Sequence, residues 1–329
     1  MESRKTNRRG RPEFRSRRYF CIALFCVCFH LLLPAVSQAE PLKIQLDELP
    51  VTVEYLPGND KVADKVALIC RDGIAEIGAE LGLTAVDTFR IILITDMQEF
   101  QARHGIRLPS WGVAFALMDS QVMLVDVQRA TSAWNGLEKV VAHELSHLLV
   151  AQRVGDVQMP TWFLEGLAIW QAREWSLLEN WRLMEAVWAK RAPPLGRIVG
   201  SMPAAEGPAR DAYRVAYMAF TERFDGEMEL LPLFLDSVVQ GGDFSAAFER
   251  FWGEDEYLYY ERFDRELYRK YRSKLLFFQT GPLFSVVAVL FLFVFLRIKW
   301  KNHRTLKRLE QAERGQTPGR WERYDETRR

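Results

Sequence analysis

Along the chain the spacing of apolar residues changes period several times, and each change predicts an element. Val51–Tyr55 alternates like a half-buried strand, and Lys61–Leu81 carries apolar residues at helical spacing until Gly82 stops it. The β-branched run Phe89–Thr95, closed by Asp96, predicts a buried strand. Trp111–Ala116 and Gln121–Val125, joined through Met118-Asp-Ser, predict a hairpin. After residue 130 the period is helical almost throughout. A small sheet-bearing part followed by a helical part is an α+β layout.

Two stretches have no such periodicity. Tyr19 to Leu33 is apolar, follows an Arg-rich segment ending at Arg18, and leads into Ala35-Val-Ser37-Gln-Ala39. That order predicts a secretory leader over residues 1–39, cleaved after Ala39 or retained as a signal anchor. The pair Arg17-Arg18 leaves the export route open between the twin-arginine and general secretory systems. Between Lys274 and Arg297 lie 22 uncharged residues. At 1.5 Å each they would form about 33 Å of helix, so a transmembrane helix is expected over 275–298. The basic tail, 299–329, is then expected in the cytoplasm. The body, 40–274, would face outward, on the periplasmic side of the inner membrane if the cell is Gram-negative.

Charge sharpens this layout. The chain has 44 Lys/Arg and 43 Asp/Glu, but the ends hold most of the excess base. Residues 19–298 carry 26 basic against 36 acidic side chains. An acidic middle argues against a nucleic-acid partner, which requires Lys/Arg gathered on one folded surface. Of four cysteines, three lie in the leader and only Cys70 in the body, so a thiolate metal cluster is excluded there. Any metal must be held by histidine and carboxylate.

One segment supplies both. Asn135-Gly-Leu-Glu138 reads as a capped helix start, and the helix runs on through His143-Glu-Leu-Ser-His147. Histidines four apart project from one helical face and can bind a single Zn²⁺. Glu144 falls beside the open position, where it can take a proton from water whose pKa the ion lowers to about 7. The third ligand follows from a census of histidines. His30 lies in the leader, His303 beyond the apolar run, and His104 in the sheet-bearing part. The positions where a metzincin would continue hold Val150 and Arg153. A carboxylate is therefore expected: Glu165, near a second helix start at Pro160-Thr161, with Asp156 in reserve.

His143-Glu-Leu-Ser-His147 followed by Trp162-Phe-Leu-Glu165-Gly-Leu-Ala168 resembles the gluzincin clan of zinc metallopeptidases, specifically the bacterial peptidase MA-like domains. The resemblance implies a thermolysin-like zincin fold, with a small sheet-bearing N-terminal lobe and a helical C-terminal lobe. It implies zinc held by His143, His147 and Glu165, with Glu144 as base. It also implies a tyrosine or histidine across the cleft to stabilise an oxyanion. Tyr213 and Tyr217, on one helical face, are the candidates. The strand Gly112–Ala116 can pair with an extended peptide. The tryptophans from Trp162 to Trp188 are expected in the core. No Gly-x-Met-Glu-Asn element of gluzincin aminopeptidases is present, which favours an endopeptidase acting on extracytoplasmic proteins or peptides. The rival expectation is a catalytically silent zincin-fold scaffold for envelope partners.

Overall fold

The computed structural model describes residues 40–315 apart from 47, 133–135 and 225, and for 273–284 and 309–315 the backbone only. The chain divides at Pro41, and Leu42–Arg329 is one unit; of Met1–Pro41 only Glu40 and Pro41 are described. The expected leader and the final residues of the expected tail lie outside the described residues.

The α+β layout is present. Strands β1 (Leu42–Gln45), β2 (Val51–Tyr55), β3 (Phe89–Ile94), β4 (Ala114–Leu117) and β5 (Val122–Asp126) form one mixed sheet in the order β1-β2-β3-β5-β4. The two parallel pairings, β2 with β3 and β3 with β5, need crossovers. Helices α1 (Asp60–Glu80) and α2 (Met97–His104) supply them. Their placement explains the apolar run Ile91–Ile94 of β3. Phe89, Ile91 and Leu93 enter the main core, whereas Ile94 joins Val122 and Leu124 in a smaller cluster flanked by Met97 and Phe100 of α2. The hairpin forms through a 3-10 turn at Met118–Ser120 and leaves β4 at the sheet edge.

Helices α3 (Val127–Ser132), α4 (Leu137–Val154), α5 (Thr161–Gln171), α6 (Leu177–Trp188), α7 (Glu206–Phe224), α8 (Leu230–Gly241), α9 (Phe244–Trp252) and α10 (Glu256–Gly315) follow. Gly136, not a side chain, caps α4; the expected cap Asn135 lies outside the described residues. One face of α4 buries Val141, Leu145 and Leu148 in the main core. The same helix keeps a second face for its histidines.

The contact between α5 and α7 depends on one glycine. A Cβ on Gly166 would lie 2.5 Å from the Ala216 carbonyl oxygen and 2.5 Å from Phe220 Cβ. Backbone cannot yield as a flexible side chain can. Gly166→Ala is therefore expected to destabilise the chain by about 3 kcal/mol, the upper end of overpacking costs. Chemical denaturation checks this, and a loss under about 1 kcal/mol would mean that the two helices slide apart freely.

Two expectations are corrected. Among the described residues no helix is long and apolar enough to cross a membrane, so the transmembrane helix expected over 275–298 is not supported. Helix α10 is continuous from Glu256 to Gly315, and its large apolar side chains from Val286 to Leu296 are exposed. The topological argument for an outward-facing body and a cytoplasmic tail lapses with it. The tryptophans also divide. Trp162 is fully buried and donates to Tyr260, but Trp181 and Trp188 are 50% and 60% exposed on α6.

Candidate functional site

Helices α4 and α5 meet where their polar faces oppose. Histidines one turn apart on α4 bring their ring centroids within 5.0 Å. From the first half of α5, Glu165 reaches both: its Oε2 lies 3.2 Å from His143 Nε2 and 3.5 Å from His147 Nε2. The position of Glu165 follows from the start of α5, where Pro160 stands at the N-cap and Thr161 N–H donates to the Val199 carbonyl at 2.7 Å. His143, His147 and Glu165 each offer a ligand atom, all within 4.8 Å of one another, and so can hold a metal ion.

The donor set narrows which metal fits. Two imidazoles with one carboxylate suit zinc, copper, iron or nickel, whereas calcium and magnesium prefer oxygen alone. His147 Nδ1 is buried without a hydrogen-bond partner, so Nε2 is the nitrogen of that ring directed at the other ligands. Three protein ligands also leave room for a fourth, as catalytic metal sites do.

Around the ligands lie groups that orient them. Glu174 Oε1 stands 3.2 Å from His143 Nδ1. It gets there because Arg173 adopts a left-handed turn (φ 52°) just beyond α5, folding Glu174 N–H back to the Ile169 carbonyl at 3.1 Å. A carboxylate on the far nitrogen fixes the tautomer that presents Nε2. Behind the site, Ser146 Oγ donates to Gln171 Oε1 at 2.6 Å, and Gln171 Nε2 donates to Glu80 at 3.0 Å, tying α4, α5 and α1 together. Glu144 Oε2 accepts a hydrogen bond of 2.7 Å from Ala116 N–H of β4.

Electrostatics separates the roles of these carboxylates. Burial raises Glu144 above the usual carboxylate range, although the two imidazoles and the Ala116 N–H oppose the rise. Burial would raise Glu165 as well, but His147 and His143 outweigh it and hold it down to about 2. For His143, burial works against the charged ring, yet Glu174 and Glu165 raise it well above its ordinary value. A metal requires the neutral ring, so protons compete with it, and uptake weakens as pH falls. Glu174→Gln keeps an acceptor at Nδ1 and removes the charge. Two changes are expected: metal affinity at high pH drops about 10-fold, and the pH dependence of uptake moves to lower pH. Metal titrations at several pH values check both, and an unshifted profile would deny Glu174 this role.

The two tyrosines part company. Tyr213 faces His143 edge-on with centroids 6.4 Å apart, and Trp111 packs on it at the same distance. Burial, then Glu165, Glu144 and Glu174, keep its hydroxyl protonated by raising its pKa far above the ordinary value. Tyr217 instead stacks on Trp175 at 4.2 Å in the wall of a separate cavity with Glu80 and Gln171. The reserve ligand Asp156 is not among the three convergent groups, and it lies just beyond α4 after Gly155. Sequence reasoning missed Glu174 and the Ala116 N–H. The first has no motif spacing and the second no side chain. No protein-family model matches the chain, and no curated protein matches it.

Proposed function

We propose that the chain is a zinc-dependent peptidase of gluzincin type, with His143, His147 and Glu165 as ligands and Glu144 as general base. The observation that carries this reading is the convergence of two Nε2 atoms and one carboxylate oxygen beside a fourth group, Glu144, whose pKa is raised. When bound, the ion supplies Lewis acidity, polarising a carbonyl and making water a nucleophile near neutral pH. Glu144 takes the proton from the attacking water, holds it on a partly buried carboxyl, and passes it to the departing amine. Its raised pKa suits a group that must both gain and lose a proton. Tyr213, kept protonated, donates its hydroxyl to the developing oxyanion.

Strand β4 offers the substrate a backbone. Val113 accepts from Asp126 N–H on the β5 side, so the alternation of a strand turns the Ala114 and Ala116 N–H groups to the free edge. Ala116 N–H already meets Glu144, which holds the base at the edge where a peptide would add as a strand beside Ala114. Cleavage of an unstructured protein by the zinc-loaded chain tests the function. Tyr213→Phe is expected to lower kcat about 100-fold with little change in KM or zinc content. An unchanged kcat would remove Tyr213 from the chemistry.

A further inference from the structure

Beside His143, α7, the turn after α5 and the start of α6 border an open cavity of about 140 Å³ lined by Glu174, Trp175, Glu179, Arg210, Tyr213 and Arg214. It shares Tyr213 and Glu174 with the site, and both touch His143. Arg210, Tyr213 and Arg214 stand three and four residues apart and form one face of α7.

The hydrogen-bonding valences of this cavity are unbalanced. Arg214 is buried, with Nε donating to Glu179 Oε2 and Nη1 to Asp211 Oδ1, both at 2.7 Å. Its Nη2 has no partner among the described residues, and it is not among the polar atoms sealed from solvent. Arg210 spends Nε and Nη2 on Glu206, and its Nη1 has no partner among the described residues. The Tyr213 hydroxyl adds a third donor. Of the acids, Glu179 has both oxygens committed, Oε1 to Arg182 and Oε2 to Arg214. Glu174 has Oε1 on His143, leaving one oxygen. Unengaged donors therefore outnumber unengaged acceptors, and two of them belong to guanidinium groups.

Resting on the peptidase reading, we propose that this cavity is a subsite for a substrate carboxylate, held by Arg214 Nη2 and Arg210 Nη1. Guanidinium N–H groups match the paired oxygens of a carboxylate, and a buried arginine fixed by two acids is already oriented to receive one. The volume admits one small residue. Its carboxylate has two possible sources, the end of a peptide or an aspartate side chain.

The test is calorimetric binding to the full chain, zinc-loaded and carrying Glu144→Gln so that nothing is turned over. Four ligands are compared: acetyl-Ala-Asp and acetyl-Ala-Asn, each as free acid and as amide. At least one carboxylate-bearing ligand is expected to bind about 10-fold more tightly than acetyl-Ala-Asn amide. Tighter binding of the free acids assigns the terminal carboxylate, and tighter binding of the Asp amide assigns the side chain. Arg210→Ala, which breaks only an exposed pair with Glu206, should shrink the preference without unfolding the chain. Arg214→Gln should abolish it. Equal affinity for all four ligands, binding of none, or a preference that survives both arginine variants overturns the proposal. A chain that shows the preference but cleaves no peptide refutes the peptidase reading alone. Cleavage without the preference refutes this subsite alone.

Discussion

Replacing Glu144 by glutamine is expected to lower peptide hydrolysis by about 100- to 10,000-fold while leaving the metal in place. Glutamine is isosteric and keeps an oxygen that can accept from Ala116 N–H, the bond of 2.7 Å that holds the side chain at the strand edge. Glu144 is not among the three convergent ligand groups, so metal binding should be unchanged. What disappears is the capacity to take a proton from water and deliver it to the leaving amine. Partial burial, which raises its pKa, suits the carboxylate to that exchange, and glutamine offers no titrating group in its place. Single-turnover cleavage alongside metal content reads both halves. Activity within a few-fold of the wild type would remove Glu144 from the reaction. Loss of metal with activity would make it a ligand, against the geometry described.

The second large effect concerns what a metal bound by His143, His147 and Glu165 would add to the fold's stability. His147 is 9% exposed, and with His143 and Glu165 it joins α4 to α5 at the core of the helical part. A metal at about 1,000 times its Kd adds about 4 kcal/mol to stability through mass action. The wild-type chain should therefore unfold at a distinctly higher temperature with zinc than after chelation. His147→Ala should lose nearly all of that metal-dependent increment, since two protein ligands remain. Thermal unfolding of both chains, with and without zinc, decides it. Equal shifts in the two chains would place the ion elsewhere, and no shift in the wild type would deny a tight site.

How far the site could be read from sequence depends on the range of the geometry involved. His143 and His147 were readable because four residues along a helix fix a shared face regardless of tertiary structure. Glu165 was nameable only as a carboxylate left after the histidines were exhausted, and its position depends on the meeting of two helices. Glu174 was invisible, because it reaches His143 through the left-handed turn at Arg173, which no spacing rule encodes. Tyr213 and Tyr217 looked equivalent as neighbours on one face. Only the packing of α7 sends one to His143 and the other onto Trp175.

The fold shows the same division. Periodicity located α1 and β2, each of which buries one face, while the apolar runs of β3 and β5 mark strands buried on both faces. Strand β1 went unseen, because Leu42, Lys43 and Gln45 are exposed at the edge and leave no alternating pattern. The tryptophans of α6 misled because amphipathic spacing does not say whether a partner covers the face. The apolar run after Lys274 suggests a membrane span by its length in uncharged residues, whereas among the described residues no helix is long and apolar enough to be one.

Metal content of the purified full chain, measured by elemental analysis, tests the central claim most directly. One equivalent of zinc per chain is expected in the wild type, one in Glu144→Gln, and essentially none in His143→Ala. A wild-type chain without tightly held divalent metal, or a His143→Ala chain that keeps its full equivalent, would contradict it.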